Sequence, residues 1–408
     1  MKRVAFGALV FALAPVMFAL GYLAHRNDWI PRGLREAVRD RMAVPQSDNV
    51  RAARPFAGDA FPLQDRNDGP DAESRAAIEA MGYAQGSRRA PALGGVTQHD
   101  ADAAFSGLNL YTSGHGPEAV LIDMDGAVLH TWRCTIDDAL PGYSPPAYVR
   151  EAARHSWRRA YLCPDGGLLA IFEGMALIKL DRDSNVLWTY TRGCHHDLDV
   201  APDGTVLVLT SEERGGVIDN GVAALDANGK ELRHVSLGDS LRASPYAPLV
   251  EWLPARGDVL HANTVQWLDG VHAGANPAFA RGNLMTSILT LNTIAAVDFD
   301  RVSVPWALTG MTKAQHDPTL LANGNIIVFD NRGAGEQSRI LEIDPRTQAV
   351  VWQHPAPGGA PFYSEWCGAV QRLPNGNTLV TETDNGRAFE VTPDHRTVWE
   401  FVNPHQFD

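Results

Sequence analysis

Cysteine is scarce in this chain of 408 residues, and none of its four copies, Cys134, Cys163, Cys194 and Cys367, stands in CxxC spacing. That argues against a zinc ribbon or a thioredoxin-like redox pair. An even count in an exported protein fits one or two disulfides, and it fits buried free thiols equally well. Positive charge is also in deficit: 35 Lys and Arg face 48 Asp and Glu, a formal net charge of −13. Bulk electrostatics therefore disfavour nucleic acid or any other polyanion as a partner, and an anionic substrate must be held by local positive groups. Long apolar runs are missing with one exception. Residues 4–24 form an uncharged run of 21 after Lys2 and Arg3, long enough to span a bilayer as a helix. A cleaved signal peptide is the rival reading, although its apolar region is normally shorter and ends in an A-x-A-like site, whereas Tyr22-Leu23-Ala24 stands here. Arg26, Arg32, Arg35, Arg39 and Arg41 follow the run and, by the positive-inside rule alone, would hold the body in the cytosol.

Residues 25–106 are rich in Arg, Asp, Ala and Pro, and read as an irregular tether with a short helix expected over 71–84. Beyond them the chain is repetitive. Hairpin turns followed by apolar strands recur as CPDGGLLAIF (163–172), APDGTVLVLT (201–210), ARGNLMTSIL (280–289), LANGNIIVFD (321–330) and LPNGNTLVTE (373–382). Gly and Asn supply the positive φ of such turns, and Val, Ile and Leu the half-buried faces beside them. Second hairpins stand at 121–132, 179–188, 224–235, 297–306, 342–352 and 390–399, and all but the third of these six close on a tryptophan: Trp132, Trp188, Trp306, Trp352 and Trp399. One aromatic per repeat is expected to fill the wedge between neighbouring sheets. Units of about 30 to 50 residues with four short strands cannot bury both faces alone and must stack in a ring. Six such units predict an all-β, six-bladed propeller over residues 107–408, with a strand from 107–123 as a candidate to close the last blade. A two-sheet sandwich would not be expected to repeat turn and Trp in phase.

In a propeller the innermost strands converge on one channel mouth. Here their starts read HHDLDV (195–200), HANTVQWL (261–268), QHDPTL (315–320) and WCGAVQRL (366–373). Three successive units thus offer a histidine: His196, with His195 as the lesser choice, then His261 and His316. His25, His99, His395 and His405 fall in turns or tails and are expected to face solvent. Asn263 lies two residues after His261 and so on the same side of the strand, where its amide can donate to an oxyanion. Arg332 in FDNRG is the nearest evident cation, while Asp197 and Asp317 each follow a histidine and can orient backbone or a ring.

HHDL, the HxN pair at 261 and 263, QHD with LANGNIIVFDN, and RLPNGNTLV together resemble the bacterial arylsulfotransferase family over residues 107–404. The resemblance implies a six-bladed propeller that moves a sulfuryl group from a phenolic sulfate ester to a phenol through a sulfohistidine. No 3′-phosphoadenosine-phosphosulfate, other cofactor or metal is implied. On the matching motifs His316 would be the nucleophile, His196 and His261 would assist, and Asn263, with His195 and Arg332 nearby, would bind substrate. The family's exported character places the propeller in the periplasm on a single-span inner-membrane anchor. One position departs: the family's arginine after the second strand of the HxN unit is Leu289 here. Either Arg332 replaces it, or the substrate differs, or transfer is lost. Two further readings stand beside transfer, a three-histidine metal-dependent lyase or hydrolase and a propeller that only binds a ligand or partner.

Overall fold

The computed structural model describes residues 94–405 apart from 147, 148, 150, 252 and 334–336. The apolar run 4–24, most of the tether and the helix expected over 71–84 lie outside the described residues. Among the described residues no helix is long and apolar enough to cross a membrane.

Four-stranded antiparallel meanders dominate, each built on the tight turns seen in the sequence. The first sheet has three strands, Asn109–Thr112, Glu118–Ile122 and Val128–Arg133. An eight-stranded sheet follows, running from Arg159–Leu162 to Glu231–Ser236. It is two meanders that share one strand of 15 residues, Val186–Val200, with Gly257–Asp258 added in parallel to Val217–Leu225. Two separate four-stranded sheets begin with Ala262–Trp267 and His316–Leu320, and the last begins with Ala369–Arg372. At the turns, Gly166 has φ 81° and Gly204 has φ 86°, a conformation that a side chain would disfavour. Asp165 Oδ1 accepts the Gly167 N–H at 2.9 Å, fixing the turn from its other side.

Strand alternation distributes the core between neighbours. In Leu168–Phe172, Leu168, Ala170 and Phe172 join a cluster with Ala119 and Trp132 of the preceding sheet. Leu169 and Ile171 join Val208 and Ala223 of the following meander. The same sharing continues along the chain and ends with Trp399 and Phe401 of the last sheet against Val120 and Ile122 of the first. The fold is thus propeller-like, because each sheet buries both faces only against its neighbours.

The strand that joins the last sheet is Gly95–His99, paired with Thr397–Val402, and not a segment of 107–123. Residues 109–122 form two strands of the first sheet instead. The sequence GVTQH holds one large apolar residue, because an edge strand with one face in solvent needs no more. The closing tryptophans behave as expected of wedges. The indole N–H of Trp188 donates to the Ala227 carbonyl (3.0 Å) and that of Trp352 to Pro393 (3.0 Å). Trp399 donates to Met124 of the first sheet (2.8 Å). Each reaches an outer turn of the next meander. Trp399 is 2% exposed and joins the two ends of the chain of sheets. Trp399→Ala should therefore cost about 3–5 kcal/mol, read as a lowered urea midpoint at unchanged slope.

All four cysteines are free, three of them buried. Burial pushes the Cys194 thiol up to about 12.

Candidate functional site

The three strands that carry the expected histidines share one irregularity. Their pairing with the second strand slips between His195 and Leu198, between Ala262 and Thr264, and between His316 and Thr319. The backbone turns left-handed at His196 (φ 52°), His261 (φ 49°) and Asp317 (φ 53°). Such bulges re-aim side chains next to a site. Here they bring imidazoles from separate strands together. The rings of His196 and His261 lie 4.9 Å apart edge to face, and those of His195 and His196 5.1 Å apart. His316 feels the charge of both His196 and His261.

Each imidazole has its own anchor. The Nδ1 of His316 lies 2.9 Å from Asn331 Oδ1 and 3.1 Å from the Ala314 carbonyl. The Asn331 amide nitrogen donates to the carbonyls of Ser364 (2.8 Å) and Cys367 (2.9 Å), so its oxygen must face the ring. Both neighbours of Nδ1 are acceptors, hence Nδ1 carries the proton and Nε2 the lone pair. That Nε2 is buried without a hydrogen-bond partner among the described residues. Burial pushes the His316 pKa down to about 3, with the nearby charge of Arg158 adding to the effect, so the ring is neutral at physiological pH.

His261 is anchored differently. Asp258 Oδ2 lies 2.7 Å from its Nδ1, and Asp258 Oδ1 accepts its backbone N–H at 3.0 Å. Burial, the largest single influence, would lower this imidazole, but the charge and hydrogen bond of Asp258 together with the Glu173 charge outweigh it and the pKa is raised. Asp258 itself is held down at about 2: burial would raise it, and the charge and hydrogen bonds of His261, with the His195 charge, together override that. His196 bonds Glu173, its N–H to Oε2 at 2.9 Å and its Nδ1 3.0 Å from Oε1. Burial wins at His196, taking its pKa down to about 4 despite the carboxylate. Glu173 is held well below the usual carboxylate range because, against its own burial, His196 and Arg158 favour the anion. The site therefore holds one imidazole readied to be a base or nucleophile, one readied to be an acid, and two more, His196 and His195, beside them.

The remaining sequence candidates are placed as follows. Asn263 is buried, and its amide N–H is given to the Gln315 carbonyl at 2.9 Å, which ties the His261 strand to the residue before His316. Asp197 and Asp317 orient backbone rather than rings: Asp197 accepts the N–H of Val265 (3.0 Å) and Asp317 that of Val370 (2.8 Å), each on the next inner strand. Arg159 lies 3.0 Å from Asp197 and 3.8 Å from Asp317, tying their two strands one residue beyond the imidazoles. His195 Nδ1 sits 2.9 Å from His196 Nδ1. Arg332 is committed elsewhere, paired with Glu365 and stacked 3.9 Å over the Trp366 ring. Leu289 is buried, and its N–H donates to the His261 carbonyl at 3.3 Å. His395, expected in solvent, stacks on Trp352 at 5.5 Å. His405 stacks on His115 at 3.5 Å.

Four residues of the site escaped the sequence reading. Glu173 and Asn331 each stand immediately after the second strand of a meander, the position that Leu289 holds in the His261 unit. That alignment was available from the repeat. So was Arg158. Counted back from the end of the inner strand, Arg158 precedes Leu162 by the same four residues as His196 precedes Val200 and His316 precedes Leu320. Asp258 had no such signal, because it comes from an irregular segment that reaches the site by pairing with Val217–Leu225.

For a metal ion, His196, His261 and His316 do not bring one nitrogen each within 4.8 Å of one another. Among the described residues, Glu173 with His195 and His196 meets that spacing, as does His115 with Glu118 and His405. A cavity lined by Tyr161, Cys163 and Trp188 lies at the far end of the inner strands from the imidazoles.

The family model described as arylsulfotransferase (ASST) matches residues 159–404, well over half of the chain. Comparison with curated proteins finds no match. Among solved structures, a protein of unknown function from Bacteroides caccae is similar at 12% identity and a TM-score of 0.49, over 74% of this chain and 94% of that one. A catalytically inactive virginiamycin B lyase from Staphylococcus aureus, crystallised with quinupristin, is similar at 13% identity and 0.45, over 77% and 85%. The WD40 β-propeller domain of Doa1 reaches 13% and 0.41, over 70% and 75%.

Proposed function

Because the chain belongs to the arylsulfotransferase family, we propose that it moves a sulfuryl group from a phenolic sulfate ester to a phenol through a covalent adduct on His316. The transfer is independent of 3′-phosphoadenosine-phosphosulfate. The observation that carries this reading is the state of His316: neutral, protonated on Nδ1, with a buried Nε2 lone pair that no described residue occupies. In the first half-reaction Nε2 attacks sulfur and the S–O(aryl) bond breaks with its electron pair going to the phenolate. The His261 imidazolium gives that oxygen a proton. In the second half the acceptor hydroxyl attacks the sulfur, its proton passes to His261, and the N–S electron pair returns to Nε2. Splitting the transfer in two lowers each barrier, and fixed positive groups meet the charge on the sulfuryl oxygens. Asp258 favours the protonated form of His261, and Asn331 keeps the His316 lone pair on the reacting nitrogen.

The fold underlying this reading is a six-bladed ring, supported by the shared strand Val186–Val200, which divides the eight-stranded sheet into two blades. The apolar run 4–24 would hold that ring to the inner membrane with its body in the periplasm. Incubating the protein with 4-nitrophenyl sulfate tests the chemistry. The expected results are nitrophenolate release, a mass adduct of one SO3 group per chain, and its mapping to the His316 peptide. Absence of both release and adduct would turn the reading to a propeller that binds without catalysis.

A further inference from the structure

We infer that Arg158 supplies the positive charge for the sulfuryl oxygens that position 289, a leucine here, does not. The inference rests on the transfer reading and concerns the same site. Position 289 borders His261 through the backbone, and Leu289 brings no charge there. Arg332, the nearest evident cation in the sequence, has its guanidinium on Glu365 and Trp366. Arg158 instead stands where the repeat puts a histidine in two other meanders, four residues before the end of its inner strand. Its Nη1 donates to Cys367 Sγ at 3.3 Å, and its Nε lies 3.8 Å from Glu173 Oε2, the carboxylate that anchors His196. Its charge is felt at His196, His261 and His316 alike. The N–H of Arg158 donates to the Ile171 carbonyl at 2.8 Å, so the residue is pinned at the head of its strand.

Charge counting favours the same residue. Glu173 and Asp258 are anions inside the site, and an aryl sulfate brings another negative charge. A protonated His261 offsets one of them. Arg158 offsets a second, and a planar guanidinium suits the paired oxygens of a sulfuryl group better than a point charge does. The replacement moves the cation from the second strand of one blade to the inner strand of another. It thereby keeps a positive charge beside the imidazoles while position 289 stays buried and uncharged.

The test compares wild type, Arg158→Met, Arg158→Lys and the double variant Arg158→Met with Leu289→Arg. Each is assayed for 4-nitrophenyl sulfate turnover and, on a His316→Ala background, for binding of the same ester by calorimetry. Arg158→Met should lose about 100-fold or more in kcat/KM and about tenfold in ester binding. Arg158→Lys should lose about tenfold, and it stands in should the Met variant not fold. The double variant should recover about tenfold over Arg158→Met. If wild type turns over and forms the adduct while both single variants stay within threefold of it, the Arg158 assignment is wrong and transfer stands. If wild type neither turns over nor binds the ester, the transfer reading fails and takes Arg158 with it.

Discussion

His316→Ala is expected to abolish cleavage of an activated aryl sulfate and to remove the protein adduct altogether, a loss of about 10⁴-fold or more in kcat. The size follows from what is lost. A residue that only stabilises charge leaves the nucleophile in place and costs less, whereas removing the nucleophile forces water or the acceptor to attack the ester directly. The mass readout separates the two cases. A variant lacking an acid, such as one at His261, should still form adduct slowly from a donor with a good leaving group. A variant lacking His316 should form none at any time. An adduct of unchanged stoichiometry in His316→Ala would move the nucleophile to another imidazole, with His195 and its buried Nε2 first in line.

Asp258→Asn should lower kcat/KM by about 10² to 10³-fold near pH 8, and by much less near pH 5. The reason is the sign of the His261 shift. Asp258 holds that imidazole above its ordinary value against burial, which pulls the other way. Transfer needs His261 protonated and His316 neutral. Wild type should therefore hold its rate from the acid side, where His316 titrates only at about 3, up to an alkaline limb lying above the ordinary imidazole value. Replacing Asp258 by an amide leaves burial opposed mainly by the Glu173 charge, and the alkaline limb moves to lower pH while the acid limb stays put. The measurement is the pH profile of kcat/KM with 4-nitrophenyl sulfate and with unsubstituted phenyl sulfate. Phenyl sulfate, with the poorer leaving group, should suffer more. An alkaline limb that does not move in Asp258→Asn would remove His261 as the acid.

What the sequence disclosed and what it hid divide along a physical line. The repeat unit was legible because turn glycines, alternating apolar strands and a closing Trp are each local and each recur. The three histidines were legible because each stands at or near the head of an inner strand of that repeat, His196 and His316 four residues before the strand's end and His261 just ahead of Ala262–Trp267. The strand Gly95–His99 was not, since an edge strand bonded along one side carries little apolar signal. Asp258 was hidden because a two-residue parallel pairing, Gly257–Asp258 on Val217–Leu225, carries it to His261, and no periodicity encodes such a contact. Arg158 and Asn331 are a different case. Both occupy repeat positions that could be counted, but a search for histidines passes over an arginine, and a search for charge passes over an amide. Arg332 drew attention as an isolated cation, and only the side-chain packing shows it paired with Glu365 and lying on Trp366.

The left-handed backbone at His196 and His261 bears on how this site can change over time. Such a conformation costs an L-residue other than glycine about 1 kcal/mol or more, and asparagine less than most. Glycine at either position would relax the bulge, but deleting the ring would also take from Glu173 or Asp258 the imidazole paired with it. The strain is therefore released at a gain only where the carboxylate leaves with the ring. A lineage released from selection for turnover would be expected to lose each imidazole together with its carboxylate, keeping every turn and tryptophan of the repeat, and the pairs 173 with 196 and 258 with 261 become a joint marker of which descendants still do chemistry.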